Sequence, residues 1–329
     1  MQLQASYYFL TVILCTWFSF ASTRKEAKVT MADYSLHSLT GATLPKEWPL
    51  KAPFPWFGGK SKVATEVWRR FGNPDYYIEP FAGSLAVLLA RPDVPKLETV
   101  NDKDGYITNF WRAVRANPVA VAQSFHQPCF EPDLHAKRRA LVLGRQKLVE
   151  KLIADPNFCD PKTAAWWAWV IHVSIAPELR IDASKSRFGG ASFPRIYSLN
   201  EVLRWFELLS SRLTKVRVLT GEWNRVVSRG ELSERNGVTA VFLDPPYEGE
   251  RLTYSVEVKD TAKEVRDWAV ASAKPWLKIA LCGHPKEHRM PEKWQRFEWK
   301  RQGGLAASGK NFNPEKSREC IWFSPACGA

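Results

Sequence analysis

The sequence lacks the cysteine pattern of a disulfide-stabilised protein. Its 329 residues include six cysteines, with no Cys-x-x-Cys pair and no spacing typical of a disulfide framework. Internal repeats and low-complexity tracts are also missing. We therefore expect a globular protein of a reducing compartment. The chain is long enough to bury one large core and to carry one sizeable insertion.

Two common nucleotide-binding signatures are missing as well. The turn around Gly83 does not match GxGxxG, so a dinucleotide ligand is not favoured. The loop at 58–61 reads Gly-Gly-Lys-Ser, but Phe54 stands where a P-loop has its first glycine. A lysine in this aromatic loop, Lys60, suits a carboxylate instead, such as that of an amino-acid moiety.

A metal site is not predicted either. Cys282, His284 and His288 lie close together in the sequence. No fourth ligand is apparent, and Pro285 disrupts a helical pair of histidines. The end of a strand and a loop account better for this segment.

Charge is missing from residues 1–23, and residues 7–21 are strongly apolar. A secretory signal has positive charge before its apolar stretch, whereas Arg24, Lys25 and Lys28 follow this one. We favour a functional start near Met31, which makes residues 1–30 a non-essential extension of a cytoplasmic protein. A membrane anchor, which would keep the body of the protein cytoplasmic, and a cleaved signal are the alternatives.

Acidic residues are few relative to basic ones. The formal net charge is +13, and residues 115–235 hold 19 Lys/Arg against 12 Asp/Glu, a net of +7. This excess suits a polyanionic partner such as nucleic acid. A well-solvated basic surface gives the same count.

An acidic residue, two prolines and an aromatic residue follow a short apolar strand that we predict near 239–243. The prolines of Asp244-Pro245-Pro246-Tyr247 fix the backbone, so the Asp244 carboxylate and the Pro245 carbonyl form a rigid pair of acceptors. Such a pair can orient the amino group of a base, whose lone pair is otherwise delocalised into the ring. The Tyr247 ring offers a face for stacking. A Pro-Pro turn capped by the aspartate is the plainer interpretation.

A second candidate site lies upstream. Residues 76–89 predict a strand, a small-residue turn at Ala82-Gly83-Ser84 and an apolar helix. Gly83 allows the backbone to approach a ligand closely. Asp102 comes about 20 residues later, after the next strand, which is the spacing of a ribose-binding carboxylate. A plain strand-to-helix connection remains the alternative.

Strands and helices alternate over much of the chain. We predict helices at 62–70, 84–90, 106–116, 199–213 and 261–273, and strands near 77 and at 98–101, 216–219, 240–243, 278–281 and 320–323. Residues 116–192 predict mostly helix, with breaks at Pro118, Pro128, Pro132 and Pro161. The alternation indicates an α/β three-layer, Rossmann-like sheet with ligands at the carboxyl ends of its strands.

In this order the segments resemble the D12 class of DNA adenine-N6 methyltransferases, over about residues 53–325. The resemblance is carried by WFGGK at 56–60, EPFAGS at 79–84, Asn101-Asp102 with Asn109-Phe110-Trp111, RFGGASF at 187–193, DPPY at 244–247 and ECIWFSP at 319–325. Asp104 departs from the pattern of the family, which more often has Asn or Glu there.

The resemblance implies an adenine-specific, site-specific DNA methyltransferase that uses S-adenosylmethionine and no metal. It implies donor binding by Trp56, Gly59, Lys60, Glu79, Phe81, Gly83, Asp102 and Asp244, catalysis by Asp244, Pro245, Pro246 and Tyr247, and DNA binding by Arg187 and Arg195. It divides the chain into an extension and lead-in at 1–52, a catalytic domain at 53–115 and 194–329, and an inserted, mainly helical DNA target-recognition region at 116–193.

Double-stranded DNA is the implied partner. The setting would be a phage or a restriction-modification system, the latter with a cognate restriction endonuclease. We expect a monomer without an obligate protein partner. Two rival classes stay open: an RNA or protein amide N-methyltransferase, and a non-catalytic DNA-binding homologue. Amide methylases more often have Asn in place of Asp244, and the presence of both Asp244 and Asp102 argues against loss of catalysis.

Overall fold

The computed structural model describes residues 50–56, 58–93, 96–128, 130–174, 198–247, 261–300 and 318–328. The strands in these ranges are β1 (Tyr76–Glu79), β2 (Leu97–Asp102), β3 (Val216–Thr220), β4 (Thr239–Leu243), β5 (Leu277–Gly283), β6 (Gln295–Lys300) and β7 (Arg318–Phe323). The helices are α1 (Ala64–Phe71), α2 (Ala86–Leu89), α3 (Gly105–Ala116), α4 (Pro118–Phe125), α5 (Glu131–Ala154), α6 (Pro161–Val173), α7 (Leu199–Leu213) and α8 (Thr261–Ser272).

The strands form one sheet in the order β3-β2-β1-β4-β5-β7-β6. Strands β1 to β5 pair in parallel with their neighbours. In contrast, β7 runs antiparallel to β5 on one side and to β6 on the other. The α/β Rossmann-like sheet predicted from the sequence is therefore confirmed.

Helices cover both faces of the sheet. Ile78 of β1 belongs to a core cluster with Val265 and Ala269 of α8. The neighbouring residue, Tyr77, faces the other way, and its ring packs against Trp68 of α1 with 4.9 Å between centroids. A parallel strand covered on both faces is apolar along its length, which accounts for the fully buried TAVFL sequence of β4. These contacts establish the three-layer arrangement.

A buried ion cluster joins α7 to the sheet. Glu98 of β2 accepts from Arg212 of α7 through both carboxylate oxygens, at 2.6 and 2.9 Å, and lies 3.2 Å from the guanidinium of Arg91. All three side chains are buried. Because a bidentate guanidinium–carboxylate pair fixes both distance and orientation, this cluster sets the position of α7 across β2.

Much of the stretch between residues 118 and 173 is helical, as predicted. Pro118, Pro132 and Pro161 each lie in the first turn of a helix, where the missing N–H leaves no hydrogen bond unmade. These helices pack onto α3 and α7 through aromatic contacts such as Trp167 with Phe110 at 5.9 Å and Phe125 with Phe206 at 5.5 Å. The boundaries of the target-recognition region stay predictions.

Two elements differ from the expectation. The helix predicted at 84–90 is the shorter α2, because Leu85 has a φ of 54°, a left-handed conformation that a right-handed helix does not contain. Strand β6 is not among the predicted strands, although Phe297 and Trp299 alternate with charged residues there. In the described ranges no helix is long and apolar enough to cross a membrane, and residues 7–21 lie outside those ranges.

Candidate active site

A cavity opens at the edge of the sheet where β1, β2 and β4 end. The strand order reverses between β1 and β4, and the carboxyl ends of parallel strands leave a crevice for a ligand at such a reversal. The cavity is partly open to solvent. Its lining includes every residue predicted to bind the donor, namely Trp56, Gly59, Lys60, Glu79, Phe81, Gly83, Asp102 and Asp244, together with Pro246.

Lys60 is buried at this cavity with three oxygen atoms around its ammonium group. Its Nζ donates to Gly58 O at 2.6 Å and lies 2.9 Å from Asp244 Oδ2 and 3.4 Å from Glu319 Oε2. Burial alone would lower the pKa of Lys60, but the negative charges nearby, Asp244 first among them, raise it above its ordinary value. The ammonium predicted to suit a carboxylate is therefore charged and paired with carboxylates of the protein itself.

Asp244 follows β4 and is held through both carboxylate oxygens. Oδ2 pairs with Lys60, and Oδ1 accepts from the Tyr247 hydroxyl at 3.1 Å. Its side chain is 24% exposed and lines the cavity. Since each carboxylate oxygen can accept two hydrogen bonds, Asp244 keeps acceptor capacity for a ligand.

Tyr247 is buried, with 8% of its surface exposed. Its ring meets the His284 ring edge-on at 4.8 Å, and Lys60 Nζ lies 5.3 Å from its centroid. Burial, together with the charge of Asp244, raises the pKa of Tyr247 well above its ordinary value, so the hydroxyl stays protonated and donates to Asp244. The stacking of this ring on a base stays a prediction.

Carboxyl groups outnumber cations around the cavity. The lining contains Glu79, Asp102, Asp104, Glu222 and Asp244 against Lys60 and Lys103. Burial raises the pKa of Glu79 well above its ordinary value, opposed by a hydrogen bond from the Tyr77 hydroxyl at 3.0 Å. Asp244 is paired with Lys60 and Glu222 with Lys103, so the formal excess of carboxyl groups rests on Glu79, Asp102 and Asp104.

Asp102 ends β2 and holds the turn that contains Gly83. Its Oδ2 accepts from the Gly83 N–H at 3.0 Å, and its Oδ1 accepts from the Asp104 N–H at 2.9 Å. Burial raises the pKa of Asp102 to about 7, against the lowering effect of these N–H donors. The carboxyl group therefore changes charge near neutral pH.

Gly83 also permits a close contact within the protein. Its φ of 44° is left-handed, and a Cβ at this position would lie 2.5 Å from Trp56 Nε1. Its carbonyl accepts from Trp111 Nε1 at 2.9 Å. Two tryptophans thus fix the turn, in addition to the close approach to a ligand expected from the sequence.

Residues directly after β3 line the same cavity and are missing from the predicted set. The Trp223 ring stacks beside Phe81, with 6.4 Å between centroids and 23° between planes. Glu222 pairs with Lys103 at 2.6 Å. Asn101 links this segment to β1, since its Nδ2 donates to Gly221 O at 2.9 Å and to Pro80 O at 3.1 Å. Glu222 and Trp223 come just after β3, at the carboxyl end of a parallel strand. The same kind of position identifies Asp102 and Asp244, so it could have pointed to these two residues as well.

Arg187 and Arg195, predicted to bind DNA, lie outside the described part of the chain. Among the residues that the structure describes, no group of three His, Cys, Asp or Glu side chains could hold a metal ion. Cys282 lies in β5, which ends at Gly283, so this segment is a strand end followed by a loop, as predicted.

Comparison with known proteins gives one family. Residues 56–147 match the family model described as D12 class N6 adenine-specific DNA methyltransferase, which confirms the resemblance predicted from the sequence. The matched segment contains Trp56, Lys60, Gly83 and Asp102 and ends before Asp244. No curated protein matches the chain significantly.

Two solved structures of the rRNA methyltransferase aviRa from Streptomyces viridochromogenes are similar to the chain. They are 14% and 13% identical to it, and each match covers 93% of this chain and 97% of the aviRa chain with a TM-score of 0.32.

Proposed function

We propose that this chain is a site-specific DNA methyltransferase that transfers the methyl group of S-adenosylmethionine to the N6 amino group of adenine. One observation carries the proposal. Asp244, held by Lys60 and Tyr247 at the end of β4, lines the same cavity as residues of the segment that matches the D12 family. An oriented acceptor for an amino group thus lies beside a site suited to the methyl donor.

The lining of the cavity fits S-adenosylmethionine, which supplies a methyl group on a positively charged sulfur when it is bound. Asp244 lines the cavity and keeps acceptor capacity beside its pair with Lys60, which suits that charge. Asp102 uses one lone pair on each oxygen for backbone N–H groups, so each oxygen has another for a ribose hydroxyl. The Phe81 and Trp223 rings offer an apolar wall for the adenine of the donor.

Asp244 acts on the substrate in this proposal. When bound, S-adenosylmethionine would supply the methyl group: the amino nitrogen would bond to the methyl carbon as the carbon–sulfur bond breaks, and that electron pair would stay on sulfur. The methylated nitrogen would then lose its extra proton to solvent. Asp244 and the Pro245 carbonyl accept the amino hydrogens and direct the nitrogen lone pair at the methyl group. The rate then comes from positioning and from preorganised acceptors, without a covalent intermediate on the protein.

Duplex DNA is the proposed substrate because the chain is basic overall and the matched family acts on DNA. An adenine inside a duplex cannot reach Asp244, so the base must leave the stack. We assign Arg187 and Arg195 to DNA contacts and residues 116–193 to target recognition. Asp244, Pro245, Pro246 and Tyr247 form the proposed catalytic group. A phage or restriction-modification role, the latter with a cognate endonuclease, belongs to the same proposal.

Methyl transfer from radiolabelled S-adenosylmethionine tests the proposal. Purified chain is incubated separately with unmethylated duplex DNA, with RNA and with a glutamine-containing protein, and the DNA is digested and analysed for N6-methyladenine by mass spectrometry. We expect label in DNA adenine alone. Label confined to RNA or protein would support the rival enzymes, and binding of DNA without any transfer would indicate a non-catalytic homologue.

A further inference from the structure

Glu319 reaches the active site from the antiparallel strand. In β7 it precedes Cys320, which pairs with Gly283, the last residue of β5. Because β7 runs against β4 and β5, its first residues lie at the edge where the parallel strands end. The reversal of one strand thus brings a carboxylate from the far end of the sequence to the edge that carries Asp244.

The Glu319 carboxylate is deeply buried and touches the same ammonium group as Asp244. Its side chain is 2% exposed, and its Oε2 lies 3.4 Å from Lys60 Nζ. Lys60 also donates to Gly58 O and pairs with Asp244, so its three N–H donors face three oxygen acceptors. An ammonium group with acceptors on three sides has a fixed position, and that position fixes Asp244 Oδ2.

We propose that Glu319 is a positioning residue of the methyl-transfer reaction, which acts through Lys60 to hold Asp244 in place and to preserve its strength as a hydrogen-bond acceptor. The inference rests on the proposed function. With Glu319 present, the positive charge of Lys60 is shared between two carboxylates. Part of the negative charge of Asp244 therefore remains uncompensated and can attract the hydrogens of the substrate amino group. Without Glu319, Asp244 is the only carboxylate paired with the Lys60 ammonium group. The ammonium group then competes with the amino group of the substrate for hydrogen bonds to the Asp244 carboxylate.

A purely structural role explains this arrangement poorly. Taking two carboxylates and one ammonium out of water is costly, and apolar side chains of similar volume often stabilise a protein as well or better. Unlike the buried ions Glu98, Arg91 and Arg212, which join α7 to the sheet, Lys60 and Asp244 line the proposed donor cavity. This location points to chemistry for the set that they form with Glu319.

Single-turnover methyl transfer with the variants Glu319→Gln and Glu319→Asp tests the inference. We expect Glu319→Gln to slow transfer about 10- to 100-fold, the scale of a small misplacement of reacting groups. Calorimetric dissociation constants for S-adenosylmethionine should stay within about threefold of wild type, since Glu319 is not expected to touch the donor. Glu319→Asp retains the charge and should recover part of the rate.

The matched control is Glu231→Gln, another carboxylate-to-amide change in a hydrogen-bonded pair. Glu231 binds Arg217 and the hydroxyl of Tyr76, the first residue of β1, at the opposite edge of the sheet. The Glu231→Gln variant should transfer methyl groups at the wild-type rate. Thermal unfolding will show whether each variant is folded. If Glu319→Gln does not fold, the test rests on Glu319→Asp. That variant should transfer methyl groups more slowly than wild type and bind S-adenosylmethionine with unchanged affinity.

Wild-type rates in the folded variants would overturn the inference. So would equal losses of rate and donor affinity, because they would make Glu319 a general support of the cavity. An inactive wild-type chain in the same assay would instead refute the proposed function, so the two failures are distinguishable.

Discussion

At the scale of single residues, the site depends on acceptors that remain available after the protein has made its own contacts. Asp244 is the clearest case, because Lys60 and Tyr247 each use only part of one carboxylate oxygen. Replacing it with alanine removes the oriented acceptor and leaves Lys60 without its nearest carboxylate partner.

We expect Asp244→Ala to lose at least about 10²–10³ in turnover, the cost of removing one preorganised polar partner. Donor binding should weaken as well, because Asp244 lines the donor cavity. Asp244→Asn, which keeps one acceptor oxygen, is the matched comparison and should retain more activity. Steady-state methylation of duplex DNA measures both, and near-normal turnover by the alanine variant would contradict the mechanism.

Asp102 gives a prediction about pH. Its folded-state pKa of about 7 means that the carboxyl group is protonated below neutrality and ionised above it. Ribose hydroxyls donate better to the ionised form, so affinity for S-adenosylmethionine should rise as the pH increases from about 6 to about 8. Donor titration by calorimetry across this range is the measurement.

The variant Asp102→Ala supplies the control for that titration. It should weaken donor binding by roughly 1–3 kcal/mol, the range for a hydrogen bond to a charged group, and should flatten the pH dependence. DNA binding should change little. An equally steep pH dependence in the variant would assign the titration to another group.

At the scale of elements, the ion cluster of Glu98 ties α7 to β2 and should matter for stability rather than for chemistry. Glu98→Gln leaves two buried guanidinium groups short of a charged partner, and we expect a loss of about 3–5 kcal/mol in the free energy of unfolding. Glu298→Gln, in an exposed pair with Arg296, should cost at most about 1 kcal/mol. Urea denaturation compares them, and equal losses would refute the account.

The elements also show what a sequence can and cannot predict. Strands such as β4 are predictable because their burial on both faces makes them apolar. Asp244 is predictable because it directly follows β4, and Asp102 because an acidic residue ends the strand after the Gly83 turn. The place of β7 between β5 and β6 is not, since it depends on pairing between distant segments. In the sequence, Glu319 stands out only as part of the ECIWFSP segment that resembles the family. Its contact with Lys60 depends on the pairing of β7 with β5. The late start of α2 depends on the left-handed Leu85, which no residue preference indicates.

At the scale of the whole molecule, charge is divided between the surface and the cavity. The chain has a net charge of +13, whereas the cavity lining has more acidic than basic side chains. A basic exterior attracts the phosphates of DNA over a long range, whereas single carboxylates of the cavity such as Asp244 act on a small ligand only at short range. The proposed DNA substrate and the proposed methyl donor therefore meet different charged regions of the molecule.

The basic exterior leads to a prediction about Arg187, which lies in the proposed target-recognition region. A guanidinium that reads guanine through two hydrogen bonds contributes about 1–3 kcal/mol at one base position. Arg187→Ala should then relax specificity at that position in methylation profiles of a randomised duplex library. A uniform drop on all sequences, with a flatter salt dependence, would make Arg187 a phosphate contact instead.

The order in which the strands are synthesised has a consequence for the newly made protein. Of the described strands β7 leaves the ribosome last, yet it belongs between β5 and β6. Until residues 318–323 are available, β5 and β6 each have an unpaired edge on the side where β7 belongs, and such edges invite aggregation in a partly folded chain. Glu319 arrives with the same strand, so in the proposed reaction a nascent chain should reach its full rate of methyl transfer only after translation of β7 is finished.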